Sequence, residues 1–161
     1  MKVNFSHTAN QKYLENMMPQ QKSSMDFANR EQCDPKSIEN VYSKLGMHEE
    51  VVKTFWDIIT KKLPEDCRWI VYGRAVLVNA SNGVIFGFKA GNVFYALRLP
   101  EHIKEKAFGK GGKPYCQFLD GKKIQASDLG DNWIFFPKYT VEQVDWCLDA
   151  FKYAGTLNGK N

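Results

Sequence analysis

Between Arg68 and Leu99 the chain reads RWIVYGRAVLVNASNGVIFGFKAGNVFYALRL, rich in β-branched and aromatic residues and cut by two turn signals, Asn82-Gly83 and Ala90-Gly91-Asn92. The pattern predicts an antiparallel meander with strands near 69–79, 84–89 and 93–99 and a break at Gly73. A sheet with one face in water alternates apolar and polar residues, yet AVLV, VIF, VFYAL and, further on, WIFF are apolar at both parities. Both faces of this sheet therefore need cover. Along NVFYALR, Val93, Tyr95 and Leu97 point one way and Phe94, Ala96 and Arg98 the other, while WIFF separates Trp133 and Phe135 from Ile134 and Phe136.

Helical periods flank the strands. In DPKSIENVYSKLG, Asp34 is placed to cap, Pro35 to open and Gly46 to close a short helix with Ile38, Val41, Tyr42 and Leu45 on one side. A second helix follows in MHEEVVKTFWDIITKKL, with Val51, Val52, Phe55, Ile58 and Ile59 as its stripe, Glu49 and Glu50 at its start and Lys61 and Lys62 at its end. PEHIKEKAF predicts a helix opened by Pro100. Strands at YCQFL and NWIFFP come next, with an Asp120-Gly121 turn after the first. The last helix, TVEQVDWCLDAFKYAG, offers a Thr140/Gln143 capping box, a stripe of Val144, Cys147, Leu148 and Phe151, and a stop at Gly155.

The predicted class is α+β: an antiparallel sheet with helices on one face, in the order α-β-β-β-α-β-β-α, preceded by an extra short helix and a polar tail. Residues 1–33 are polar and short of β-branched residues, with one apolar cluster at Tyr13, Leu14, Met17 and Met18 that Pro19 cuts off. They read as a partly disordered N-terminal tail, and residues 34–161 as a single domain. A chain of 161 residues, 43% hydrophobic, is long enough for one domain with its own core.

The segment from Val52 to Tyr153 carries YGRAVLV, GVIFGFKAGNVFYALRLP, a helix with a GKPY exit and WIFFPKYTVEQVDWCLDAF. In these it resembles the TfoX amino-terminal-domain group and the related YjbR/MmcQ group. What the resemblance implies is a small α+β fold of the secretion-chaperone-like type and an association with competence regulation or DNA binding. It brings no catalytic motif to transfer. Gly73-Arg74 stands where those groups are expected to have a glycine pair, and the N-terminal extension has no counterpart in them.

Function classes narrow by what is missing. No run of about 18 apolar residues and no apolar leader occurs, which predicts a cytoplasmic chain with no membrane partner. Cys33, Cys67, Cys116 and Cys147 lie far apart without a C-x-x-C pair, and His7, His48 and His102 are equally scattered, so the chain predicts free thiols, no metal and no cofactor. Cys67 alone adjoins a loop and a cation, Arg68, but Glu65 and Asp66 oppose its ionisation. Asp145 and Asp149 read as a solvated helix face. The glycine-rich AFGKGGKPY, Ala107–Tyr115, follows a helix and has Pro114 where a phosphate loop has Ser or Thr, so it reads as a connector.

Two candidate surfaces follow. Lys104, Lys106, Lys110, Lys113, Lys122 and Lys123, with Tyr115, form a candidate nucleic-acid face. A formal charge of +4 and the absence of helix-turn-helix or RNP patterns make it the weaker reading. The sheet face left uncovered by helices, carrying Phe94, Arg98, Trp133 and Phe135, is the candidate partner face. The first expectation is thus a non-catalytic binding or regulatory module acting through that face on a protein partner or a second copy. The alternatives are a nucleic-acid-binding regulator, and an enzyme or small-ligand binder with a site assembled from dispersed residues.

Overall fold

Tyr72 (φ 48°) and Gly73 (φ 78°) fold the first predicted strand back on itself. Two successive positive φ angles make the hairpin turn whose twist suits the strands on either side, so residues 68–79 form two strands rather than one with a break. Gly73 also lies against another segment, since a Cβ on it would sit 2.7 Å from the Ala28 Cβ.

The computed structural model describes residues 3–17, 22–45, 48–90, 94–114, 116–119 and 122–159. Gly46, Met18, Pro19, the Gly91-Asn92 and Asp120-Gly121 turns and Tyr115 lie outside the described residues. In chain order the elements are α1 (Gln11–Met17), β1 (Gln32–Cys33), α2 (Val41–Lys44), α3 (Glu49–Lys53), β2 (Arg68–Val71), β3 (Arg74–Asn79), β4 (Val84–Ala90), β5 (Phe94–Arg98), α4 (Glu101–Phe108), β6 (Lys113–Pro114), β7 (Cys116–Leu119), β8 (Lys122–Gln125), α5 (Ala126–Leu129), β9 (Trp133–Phe136) and α6 (Glu142–Thr156). Seven strands form one sheet in the order β1-β2-β3-β4-β5-β9-β6, every pair antiparallel, and β7-β8 is a separate hairpin. The fold is α+β. No helix among the described residues is long and apolar enough to cross a membrane.

Both sheet faces carry a core, as the apolar strands demand. On one face Ile70, Leu77, Phe86, Tyr95, Leu97, Ile134 and Phe136 pack with Val52, Phe55, Trp56 and Ile59 and with Trp146, Cys147, Ala150 and Ala154 of α6. On the other, Val76, Val78, Ile85, Phe88, Ala96 and Trp133 pack with Val3, Tyr13, Leu14 and Met17 and with Ile124 and Leu129. Phe86 and Phe88, two apart, sit in opposite cores because β4 has a bulge: Leu77 pairs with Gly87 and Val78 with Ile85, leaving Phe86 as the extra residue.

Five expectations are corrected. Helices lie on both faces, not one, since α1 and α5 join the second core. The described residues of the N-terminal segment are a structural layer rather than a loose tail, with Val3, Tyr13, Leu14 and Met17 all buried. Its polar residues hide this in composition, because they are the segment's bonds to the sheet. Buried Asn10 donates from Nδ2 to the Gly83 carbonyl (2.9 Å) and accepts the Ile85 N–H at Oδ1 (2.9 Å). His7 accepts the Ala9 N–H at Nδ1 and so presents Nε2 to the Leu157 carbonyl at 3.2 Å.

The helix expected over 34–46 is instead a 3-10 turn, Pro35–Ser37, capped by Asp34, followed by left-handed Asn40 (φ 54°) and the one-turn α2. The Thr140/Gln143 capping box does not form, because buried Gln143 turns inward to accept the Tyr95 hydroxyl and donate to the Lys138 carbonyl. Gly155 does not end α6, which runs on to Thr156. What the glycine provides there is room for Asn79, whose Nδ2 would lie 2.9 Å from a Cβ at that position.

Candidate functional site: a cleft at the free edge of β2

The described side chains of the predicted partner face lie inward. Trp133 is 2% and Arg98 7% exposed, Phe135 is half-buried, and Phe94 takes its place in β5 opposite Ala90. Tyr13 of α1 stacks on Trp133 with ring centroids 6.1 Å apart and packs against Phe88 at 5.1 Å. Arg98 donates from Nε to the Asp131 carbonyl and from Nη1 to the Ala9 carbonyl, both at 3.0 Å, and lies 5.9 Å over the Trp133 ring. Burial pulls its pKa below the ordinary guanidinium value. The side chain expected at an outer interface thus anchors the chain's own first turn of helix. The parity split holds for Tyr95, Leu97, Ile134 and Phe136 on one side and Ala96, Trp133 and Phe135 on the other; what fills that second side is the N-terminal segment.

The candidate nucleic-acid lysines are spread over several elements. Lys104 Nζ lies 3.6 Å from Glu101 and Lys110 Nζ 3.9 Å from Glu142, so carboxylates answer both. Lys106, Lys113 and Lys123 are exposed on α4, β6 and β8, and Lys122 belongs to β8. In the glycine-rich loop, the Gly112 N–H returns to the Ala107 carbonyl at 2.8 Å, and a Cβ on Gly112 would lie 2.9 Å from Ile134 Cγ2. These glycines close α4 onto the sheet, as a connector does.

What the sequence did not single out is a cleft of about 580 Å³ where β1 ends. Strand β1 pairs with β2 at Ile70 and Val71, and the Asp34-capped turn then carries the chain away, so among the described residues no strand lies beside Arg68 and Trp69 on that side. The cleft fills this gap. Pro35, Ile38 and Val41 give it an aliphatic wall and Tyr42 and Trp56 an aromatic one, while Trp69, whose side chain packs on the second core, borders it at the strand edge. A turn of π-helix over Thr54–Ile58 positions the back of the cleft, because the wider turn buries Phe55 and its neighbour Trp56 together. Trp56 is fixed by its Nε1 donating to the Val76 carbonyl (3.1 Å), and Tyr42 meets it edge-on at 6.1 Å.

The polar groups are tied to one another at one side of the cleft. The Tyr42 hydroxyl donates to the Asp57 carboxylate, lying 2.8 and 2.7 Å from its two oxygens, and Arg68 Nη1 pairs with the same carboxylate at 3.2 Å. Burial pushes the Tyr42 phenol up to about 12, and the bond to Asp57 adds to the rise. Arg68 Nε and Trp69 Nε1 are shut off from solvent with no hydrogen-bond partner among the described residues. Glu65 and Asp66 stand exposed at the rim on a 3-10 turn, with Asp34 and Lys36 across from them on theirs.

Burial pushes the Cys67 thiol up to about 12, raises Cys33 and takes Cys147 well above the thiol range, so none of the three is a ready nucleophile at neutral pH. No family model, no curated protein and no solved structure matches this chain, and the cleft's own geometry therefore carries the reading of function.

Proposed function

We propose that this chain is a ligand-binding module whose ligand seats in the cleft beside Arg68 and Trp69. One observation carries the reading: a concavity of about 580 Å³ at the edge of β2, walled by Ile38, Val41, Tyr42 and Trp56 and bordered by Arg68, whose Nε has no hydrogen-bond partner among the described residues. A buried donor without an acceptor costs about 1–3 kcal/mol, and a slight turn of the side chain toward a ligand oxygen recovers it. Concave, largely apolar sites with a few convergent polar groups are where small molecules and single side chains bind. The sheet face does not compete for this role, since the N-terminal segment occupies it.

The four tryptophans make the test direct. Indole N–H resonances of Trp56, Trp69, Trp133 and Trp146 are followed by NMR while the full chain is titrated with a probe panel of indole, benzoate and Nα-acetyl-arginine amide. The expected result is that at least one probe moves Trp69 and Trp56 while Trp133 and Trp146 stay put. Four unmoved indoles throughout the panel, or movement confined to Trp133 and Trp146, would overturn the proposal.

A further inference from the structure

Resting on that reading, we infer that the group the cleft takes is an organic cation, an alkylammonium or a guanidinium. Three carboxylates line the cavity, Asp34, Glu65 and Asp66, against two cations, Lys36 and Arg68. Arg68 is already neutralised by Asp57 at 3.2 Å, and Lys36 is exposed at the mouth. The cavity is therefore locally negative on a chain whose net charge is +4. The two aromatic residues on its wall, Tyr42 and Trp56, are an independent observation pointing the same way, because the negative π face of Trp or Tyr attracts a cation within about 6 Å. The chain itself uses this attraction beside the cleft, where Lys53 Nζ stands 5.8 Å over the Tyr42 ring.

An anion would meet Glu65 and Asp66 at the rim and be repelled, and a neutral ring would fill the aromatic wall without answering the carboxylates. A cation attached to an amide answers both sets of groups: the charge faces the rings and carboxylates, and the carbonyl accepts from Arg68 Nε. A free small cation and a basic residue of a peptide share this chemistry.

The experiment compares Nα-acetyl-arginine amide, its uncharged isostere Nα-acetyl-citrulline amide, and agmatine, each titrated into the full chain and read at the Trp69 and Trp56 indole N–H. The expected result is binding of the arginine amide about tenfold tighter than that of its isostere, with the gap shrinking at high salt. A Glu65→Gln/Asp66→Asn double variant, changed at exposed positions with its melt unaltered, should lose most of the gap. Agmatine binding as tightly as the arginine amide supports the inference with a free cation as the source; weaker binding of agmatine supports it with a basic residue in a chain. Equal affinity for the citrulline amide overturns the inference and leaves the binding cleft standing. No indole shift with any of the three, nor with indole or benzoate, overturns both.

Discussion

A variant lacking residues 1–17 is expected to lose its cooperative thermal transition. The deletion strips Val3, Tyr13, Leu14 and Met17 from the second core and bares Val76, Val78, Ile85, Phe88, Ala96 and Trp133 on one continuous sheet face. Burying an apolar side chain contributes about 1.5–3 kcal/mol, so these four amount to roughly 8 kcal/mol, the size of a whole domain's stability, about 5–15 kcal/mol. The truncated protein should be insoluble, or soluble with a broad, non-cooperative melt and strong binding of a hydrophobic dye. A cooperative transition within a few degrees of the full chain would contradict this layer.

The second large effect is expected from a single amide. Asn10 is fully buried; its Nδ2 donates to the Asn4 and Gly83 carbonyls at 2.8 and 2.9 Å, and its Oδ1 accepts the Ile85 N–H at 2.9 Å. Asn10→Ala strands the buried Ile85 N–H and takes one bond from each of the Asn4 and Gly83 carbonyls, which keep the His7 and Asn4 N–H groups; with about 1–3 kcal/mol for the group left unsatisfied and about 0.5–1.5 kcal/mol for each further bond lost, the net loss is set at about 3 kcal/mol. In a domain of this size that lowers Tm by about 6–12 °C. Asn10→Asp keeps the acceptor but points a carboxylate at two carbonyl oxygens, so at neutral pH it should be at least as destabilising as alanine. Urea denaturation decides the matter, and a loss below about 1 kcal/mol for either variant would show that the amide is not the clasp between segment and sheet.

Several features of the fold were legible because they follow from local periodicity. The two-sided apolar strands announced that both faces of the sheet needed cover, and the parity of WIFF and of Tyr95-Ala96-Leu97 divided the faces as the cores do. Other features depend on non-local company. The hairpin at Tyr72-Gly73 was visible only as a glycine, because Tyr72 takes a left-handed conformation that its residue type does not advertise. The bulge at Phe86 reveals itself only in the pairing with β3. The N-terminal layer was read as a tail because asparagine, glutamine and histidine count as polar in composition, whereas here they bond to the backbone of distant segments: Asn10 to Gly83 and Ile85, His7 to Leu157, Asn16 to Asp128.

The cleft was the least legible part. Tyr42, Trp56, Asp57, Arg68 and Trp69 come from three segments, and each looked ordinary where it stood. Tyr42 read as one more residue of a helical stripe, Arg68 as the charge beside Cys67, and Trp56 had no place in the predicted stripe until the π-helical turn brought it inward. A misplaced tryptophan next to an acidic residue in mid-helix was the one signal present, and helical periodicity at 3.6 residues per turn has no way to score it.

The central claim is that the chain shuts its own second sheet face, leaving the cleft rather than the sheet as the place where a ligand is met. Isotope-filtered NOE spectroscopy on an equal mixture of labelled and unlabelled protein tests this most directly. Contacts from the Tyr13 ring to the Trp133 indole and the Phe88 ring, at centroid separations of 6.1 and 5.1 Å, should appear within labelled molecules and vanish in the intermolecular spectrum. The same contacts appearing between molecules, or missing from both spectra, would contradict the account: the first would make the face a swapped interface between copies, and the second would leave it open.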